Sequence, residues 1–184
     1  EGAQFSAGAN IGMIFMLAAD QEYDELEMAV RQFQNTILRI RYSSIPVAVA
    51  PHGLTLGGGC ELCLHADTIQ AAAETYIGLV ELGVGLIPGG GGSKEFALRA
   101  SDAIQHNEPE TIPLQNRFIT VGTARVSASA FEGYDMGILR PGVDKVSMNQ
   151  SRRIADAKQG VIRLSDLGYT TPVRRNDIRV LGRA

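Results

Sequence analysis

The sequence has few cysteines, no excess of positive charge and no apolar run long enough to cross a bilayer. Its 184 residues include two cysteines, and 17 Lys and Arg stand against 20 Asp and Glu. Two cysteines cannot build a disulfide framework and no secretory leader opens the chain, so we expect a protein of the reducing cytoplasm. The acidic balance argues against a nucleic-acid partner. Because the longest apolar runs, 11–19 and 45–50, fall short of the ~20 residues of a membrane span, we predict none.

What remains has the composition of one globular domain, with 45% hydrophobic residues. Its 21 glycines cluster at 53–59 and 83–92, which indicates tight backbone rather than a flexible linker. Apolar residues recur at steps of three and four between Asp20 and Ile40, so the spacing predicts an amphipathic helix there. Strands are predicted at 47–50, 68–73 and 76–80, with a helix of about two turns at 60–66.

The second half of the chain is predicted to be mostly helical. Helical spacing covers 94–103 and 110–124, and Asn149 can cap a further helix that ends at Gly168. The remainder, with Pro172 and several arginines, is predicted to be loosely attached. We therefore divide the chain into a core at 1–105, a helical region of the same domain at 106–168 and a tail at 169–184.

A glycine-rich corner is the first feature that could carry chemistry. A strand followed by glycines 57–59 and a helix presents unpaired N–H groups at a helix N-terminus, where an anion or a developing oxyanion can bind. Neither nucleotide loop fits well, because Ser93 and Lys94 stand in the wrong order for a Walker loop and Pro88 occupies a glycine position of the dinucleotide fingerprint. The alternative, that these glycines only permit close packing, stays open.

Two carboxylates lie close to this corner in the sequence. Glu61 falls in the first turn of the short helix, where it could act chemically or only stabilise the helix dipole. Glu81 stands between two apolar runs, and an acidic residue there is costly unless it is paired or functional. Two carboxylates beside an oxyanion site suit acid and base work on a carbonyl compound.

The Cys-x-x-Cys pair formed by Cys60 and Cys63 raises the question of a metal or redox site. Only three further ligands of the usual kind exist in the chain, His52, His65 and His106, and there is no second Cys-x-x-Cys. The pattern favours small core residues of a helix, and we predict no metal site.

Three blocks of sequence resemble the crotonase (enoyl-CoA hydratase/isomerase) superfamily in order and spacing. They are FSAGANI at 5–11, GLTLGGGCEL at 53–62 and ELGVGLIPGGGG at 81–92. The second half is similar to the hydratase domain fused to a 3-hydroxyacyl-CoA dehydrogenase in bacterial β-oxidation proteins. The resemblance implies an α/β, crotonase-like (ClpP/crotonase) fold of repeated β-β-α units with a helical C-terminal region. Since only four residues precede the first block, where the family has two or three strands, we expect an N-terminally truncated domain.

The resemblance also implies roles for particular residues. It makes Ala9 and Gly58 the two backbone N–H donors that hold the thioester oxygen, and Glu61 and Glu81 the acids that hold water and move its proton. Four further positions would contact the substrate: Ala7, Gly57, Pro88 and Gly89.

The function implied is hydration of trans-2-enoyl-CoA to 3-hydroxyacyl-CoA in fatty-acid β-oxidation. The coenzyme A thioester is then a substrate, this chain needs no cofactor, and NAD belongs to an upstream dehydrogenase domain. We expect a homo-oligomer, and the chain by itself could be inactive because the missing strands help to bind coenzyme A in the family. Two alternatives stay open: isomerisation of the double bond, and a non-catalytic assembly domain.

Overall fold

The computed structural model describes residues 2–104, 109 and 111–181. Two helices open the chain, α1 at Ile11–Ala19 and α2 at Tyr23–Arg41. They are followed by β1 at Ala48–Val49, β2 at Gly53–Leu56, α3 at Gly58–His65, β3 at Thr68–Ala72 and β4 at Thr75–Gly78. A 3₁₀ helix at Glu81–Val84 then leads to α4 at Gly92–Ala103. The amphipathic helix and the two-turn helix predicted from the sequence are therefore confirmed.

Helices dominate the second half of the chain, as predicted. The elements are α5 at Thr111–Gly122, α6 at Glu132–Asp135, β5 at Lys145–Ser147, a 3₁₀ helix at Gln150–Arg152 and α7 at Arg153–Asp166. Asn149 caps the 3₁₀ helix that leads into α7, since its Oδ1 accepts a hydrogen bond from the N–H of Ser151 at 3.0 Å. Helix α7 ends at Asp166, two residues before the predicted end at Gly168. The predicted boundary between 105 and 106, His106 and the predicted helix start at 110 lie outside the described residues.

The strands form two small parallel sheets, one with the order β1-β3-β5 and one in which β2 pairs with β4. Along the chain this makes two successive β-β-α units, β1-β2-α3 and β3-β4-α4. The first strands of the two units pair with each other, and so do the second strands. The predicted α/β fold of repeated β-β-α units is confirmed.

One strand differs from the prediction. The strand predicted at 47–50 covers only β1, and a separate strand, β2, begins at Gly53. Its N–H donates to the carbonyl of Glu74 at 2.7 Å and its φ of +55° turns the chain from one sheet into the other. Ser6 extends the second sheet, because it forms a parallel bridge with Thr55 on the free side of β2.

Helix α3 lies at the centre of the core. Six of its eight residues are buried, among them Cys60 and Cys63, which are free thiols with no exposed surface. They pack with aliphatic side chains of both sheets, such as Ile69 and Ile77. The interpretation of the Cys-x-x-Cys pair as core residues is confirmed. Because α3 is held on all sides, the residues at its N-terminus have fixed positions.

The predicted loose attachment of the tail is wrong for its described part. The hydroxyl of Tyr169 lies 3.2 Å from the carbonyl of Ser43 and 3.2 Å from Oδ1 of Asp67. Arg175 pairs with Asp102 at 2.6 Å, so the tail runs from the end of α2 to the end of α4. Tyr and Arg can form such contacts at long sequence separation, which composition does not show.

No helix in the described part of the chain is long and apolar enough to cross a membrane.

Candidate active site

The glycine-rich corner connects β2 to α3, as the sequence predicted. Gly57 has a φ of +53° and its N–H donates to the carbonyl of Gly78 at 3.0 Å, which ties the corner to β4. Gly58 is the first residue of α3, so its N–H has no acceptor within the helix and donates to none of the described residues. A side chain at Gly59 would overlap Ser6. The glycines are thus required by close backbone approach and also leave an N–H free.

The first sequence block lies alongside this corner. Ser6 pairs with β2, and its Oγ accepts a hydrogen bond from the N–H of Gly8 at 3.2 Å. A Cβ placed on Gly57 would lie 3.8 Å from the Cα of Gly8, so the two backbones are in contact. The next residue, Ala9, is exposed, and its N–H donates to none of the described residues. The predicted donors Ala9 and Gly58 therefore belong to adjoining segments, each with an unused N–H.

Glu61 is buried, with only 3% of its surface exposed. Its Oε1 accepts a hydrogen bond from the N–H of Gly92 at 2.9 Å, which ties α3 to the first turn of α4. Burial raises the pKa of Glu61, while the N–H groups of Gly92, Gly90 and Gly91 act in the opposite direction. The carboxyl group can therefore hold or release a proton closer to neutral pH than an exposed glutamate.

Glu81 is the first residue of the 3₁₀ helix that follows β4, and its side chain reaches the glycine-rich corner. A Cβ on Gly57 would lie 3.3 Å from its Oε1, and its Oε2 is buried without a hydrogen-bond partner in the described part of the chain. Burial raises the pKa of Glu81, and the negative charge of Glu61 raises it further. The two carboxyl groups are thus close enough at the glycine corner to interact electrostatically.

The other residues predicted to contact the substrate differ in their exposure and in their contacts. Pro88 is buried. The carbonyl of Gly89 accepts a hydrogen bond from Nε2 of Gln34 on α2 at 2.6 Å. Ala7 is exposed on the segment that leads to Ala9, next to the corner. The structure thus brings Gly57, Glu61 and Glu81 together, with Gly89 on the loop that leads into α4.

Phe33 is a site residue that sequence reasoning missed. Its ring lies over the corner from α2, since Cζ would be 3.1 Å from a Cβ at Gly58. A side chain at Gly90 would overlap both this ring and the Glu61 carboxyl group. The helical spacing placed Phe33 on the apolar face of α2, but no local signal showed which part of the core that face covers.

Within the described part of the chain no three His, Cys, Asp or Glu side chains come together as metal ligands. What the corner and its adjoining segment offer instead is two backbone N–H groups without an acceptor among the described residues, the buried carboxyl group of Glu61 and the half-buried side chain of Glu81. Such a set can polarise a carbonyl oxygen and exchange protons with a neighbouring carbon or with water.

Comparisons with known proteins agree on one family. The family model described as enoyl-CoA hydratase/isomerase matches residues 1–107. A Bacillus subtilis protein named "Probable 3-hydroxyacyl-CoA dehydrogenase" is 46% identical over 95% of this chain, which spans 22% of that protein. The chain thus spans about a fifth of this curated relative.

Solved structures give the same result for the fold. An enoyl-CoA hydratase subunit from Geobacillus kaustophilus is 27% identical, with a TM-score of 0.66 over 90% of this chain and 55% of that one. An enoyl-CoA hydratase/isomerase from Mycobacterium paratuberculosis is 24% identical and shows the fold alone, with a TM-score of 0.70 over 90% of this chain and 57% of that one.

Proposed function

Because this chain belongs to the enoyl-CoA hydratase/isomerase family, we propose that it adds water to trans-2-enoyl-CoA and yields 3-hydroxyacyl-CoA. One observation carries the proposal above all: Glu61 and Glu81 both reach the glycine corner, and the negative charge of Glu61 raises the pKa of Glu81. Double-bond isomerisation needs one carboxylate to move a proton, whereas hydration needs groups that hold a water molecule and move two protons.

In the proposed mechanism the N–H groups of Ala9 and Gly58 hold the thioester oxygen. Water attacks C3, the electrons of the C2–C3 double bond move toward the thioester oxygen, and the enolate-like charge is stabilised by the two donors. One of the two carboxyl groups takes the proton that water loses, and a proton is returned to C2, so atoms and charge balance. The raised pKa values of Glu61 and Glu81 favour this exchange near neutral pH.

We also propose the setting in which this reaction takes place. The name of the Bacillus subtilis relative supports a protein that also oxidises 3-hydroxyacyl-CoA, the product of hydration. We place this reaction in fatty-acid β-oxidation and in the cytoplasm. NAD would then bind to a dehydrogenase part of that protein and not to the residues described here. Acyl-CoA is the small-molecule partner, and a homo-oligomer is the expected assembly.

Product analysis tests the proposed reaction. The complete protein, incubated with a trans-2-enoyl-CoA, is expected to form 3-hydroxyacyl-CoA, and with a 3-enoyl-CoA it should form little 2-enoyl product. Rapid conversion of the 3-enoyl substrate without hydration of the 2-enoyl one would favour the isomerase. If the complete protein neither binds nor converts either thioester, that result would favour a non-catalytic assembly domain.

A pair of substitutions at Gly58 tests the oxyanion donor separately. Gly58→Pro removes the N–H, whereas Gly58→Ala keeps it and places a similar Cβ against Phe33. We expect kcat to fall by at least ~10²-fold more in the proline variant than in the alanine variant, the usual loss for one donor. A bound enoyl thioester absorbs at longer wavelength when its carbonyl is polarised, and this shift should shrink only with proline. Equal behaviour of two folded variants would refute the donor role.

A further inference from the structure

A buried charge cluster lies behind the candidate active site. Glu95 on α4 has only 1% of its surface exposed, and its Oε1 lies 2.8 Å from Nζ of Lys94 and 3.8 Å from Nε of Arg41 on α2. Nε2 of His65, at the end of α3, is 3.7 Å away. One carboxylate therefore joins three helices, and the proposed reaction uses none of these four side chains.

The cluster supports the turn that contacts Glu61. The N–H of Glu95 donates to the carbonyl of Gly91 at 3.0 Å, and a Cβ on Gly91 would lie 3.2 Å from both Nε2 and Cε1 of His65. The next residue, Gly92, donates its N–H to Oε1 of Glu61 at 2.9 Å. The N–H of Glu95 belongs to the backbone, so the side chains reach the turn through the His65 ring, which packs against Gly91 and has the Glu95 carboxylate beside it.

The His65 ring is fixed by its own hydrogen bond. Its Nδ1 lies 2.7 Å from the carbonyl of Glu61, and a carbonyl can only accept, so Nδ1 carries the hydrogen. Burial lowers the pKa of His65, which favours the neutral ring. Burial alone would raise the pKa of Glu95, but the positive charges of Arg41 and Lys94 lower it overall, which favours the carboxylate. A neutral ring on α3 and a charged carboxylate on α4 therefore meet at Gly91.

We propose that Glu95 and His65 are positioning residues that hold the turn at residues 90–92 so that its N–H groups point at the Glu61 carboxyl group. The inference rests on the proposed function of Glu61, which it deepens. Neither residue touches the reacting atoms. They act through the backbone of Gly91 and Gly92.

A positioning role of Glu95 and a simple charge effect of Glu95 would shift the pKa of Glu61 in opposite directions. The charged groups around the cluster are Arg41 from α2 and Lys94 and Arg99 from α4, and Glu61 itself is faced by Glu81 from the 3₁₀ helix. If Glu95 acted only through its negative charge, its removal would lower the pKa of Glu61. If it holds the turn, its removal loosens N–H groups that stabilise the carboxylate, and the pKa of Glu61 should rise.

A pH titration of the Gly92 amide proton by NMR tests the proposal in the full chain labelled with ¹⁵N-glycine. Glu61→Gln identifies the titration, because it should abolish it. Glu95→Gln and the neutral-for-neutral His65→Gln are each expected to raise the midpoint by about one unit, the effect of losing roughly one N–H bond to a carboxylate. The matched control is Asp144→Asn, another buried carboxylate that pairs with Arg140 away from the turn, and it should leave the midpoint unchanged.

A midpoint that falls in Glu95→Gln, or stays unchanged in His65→Gln, would overturn the proposal. Circular dichroism establishes that each variant is folded, and His65→Gln carries the test if Glu95→Gln does not fold. Hydration assays of the complete protein separate this inference from the proposed function. Absence of hydration in the unsubstituted protein refutes the function, whereas normal hydration with unmoved midpoints refutes only the positioning role.

Discussion

Individual residues of the site show a conflict between stability and chemistry, most clearly at Glu81. Its Oε2 is buried without a partner among the described residues, and burial raises its pKa from the ordinary value of 4.5. The native state then binds this proton more tightly than the unfolded chain. The resulting destabilisation is absent below about pH 4.5 and is complete once the pH exceeds the raised pKa.

We therefore predict that Glu81→Gln makes the protein more stable at pH 7 while it removes activity. The amide is uncharged at both pH values, so the gain in Tm should vanish at pH 4, where the glutamic acid is protonated as well. Thermal unfolding followed by circular dichroism at the two pH values measures this. A lower Tm at pH 7, or the same gain at pH 4, would show that the carboxylate has stabilising partners.

Residue types in sequence could predict one buried acid but not the other. Glu81 stands between apolar runs, so its burial cost was visible from its neighbours. Glu95 follows Lys94 in an ordinary helical pattern, and its burial results from packing against His65 and Arg41, 30 or more positions earlier in the chain. The cluster it forms could not be predicted from local sequence.

Elements were predictable where periodicity was strong, as for α2, and less so where the chain turns within few residues. Strand β2 has four residues and begins with a glycine, so its sequence favours a turn. Its strand conformation comes from pairing with β4 on one side and Ser6 on the other. Helix α1, in which no residue is buried, covers an apolar run in which no element was predicted.

The tail provides a test at the level of elements. Tyr169→Phe removes the hydroxyl that contacts Ser43 and Asp67, and we expect the free energy of unfolding to fall by about 1–2 kcal/mol, the usual value for hydrogen bonds of this kind. The matched control is Tyr23→Phe on the exposed start of α2, where we expect a change within about 0.5 kcal/mol. Urea unfolding of both variants measures the difference. Equal stabilities would mean that the tail is not held by this contact.

For the molecule as a whole, the order of the sequence blocks predicted the architecture better than any single element did. Each glycine-rich block leads into the helix of one β-β-α unit, α3 or α4. The hydrogen bond from Gly92 to Glu61 brings the starts of these two helices together. The assembly of the site across α2, α3 and α4 depends on contacts between distant residues, such as the ring of Phe33 over Gly58. Such contacts leave no spacing in the sequence, and this is why Phe33 was missed.

We propose that Glu61 and Glu81 act as one unit on a single water molecule. A double-mutant cycle on enoyl-CoA hydration by the complete protein tests it most directly, with Glu61→Gln, Glu81→Gln and the double variant, each verified as folded. We predict that either single change lowers kcat by roughly 10²–10⁴-fold, and that the double variant loses little more than the worse single one. Losses that multiply, or a nearly silent change at Glu81, would contradict the account.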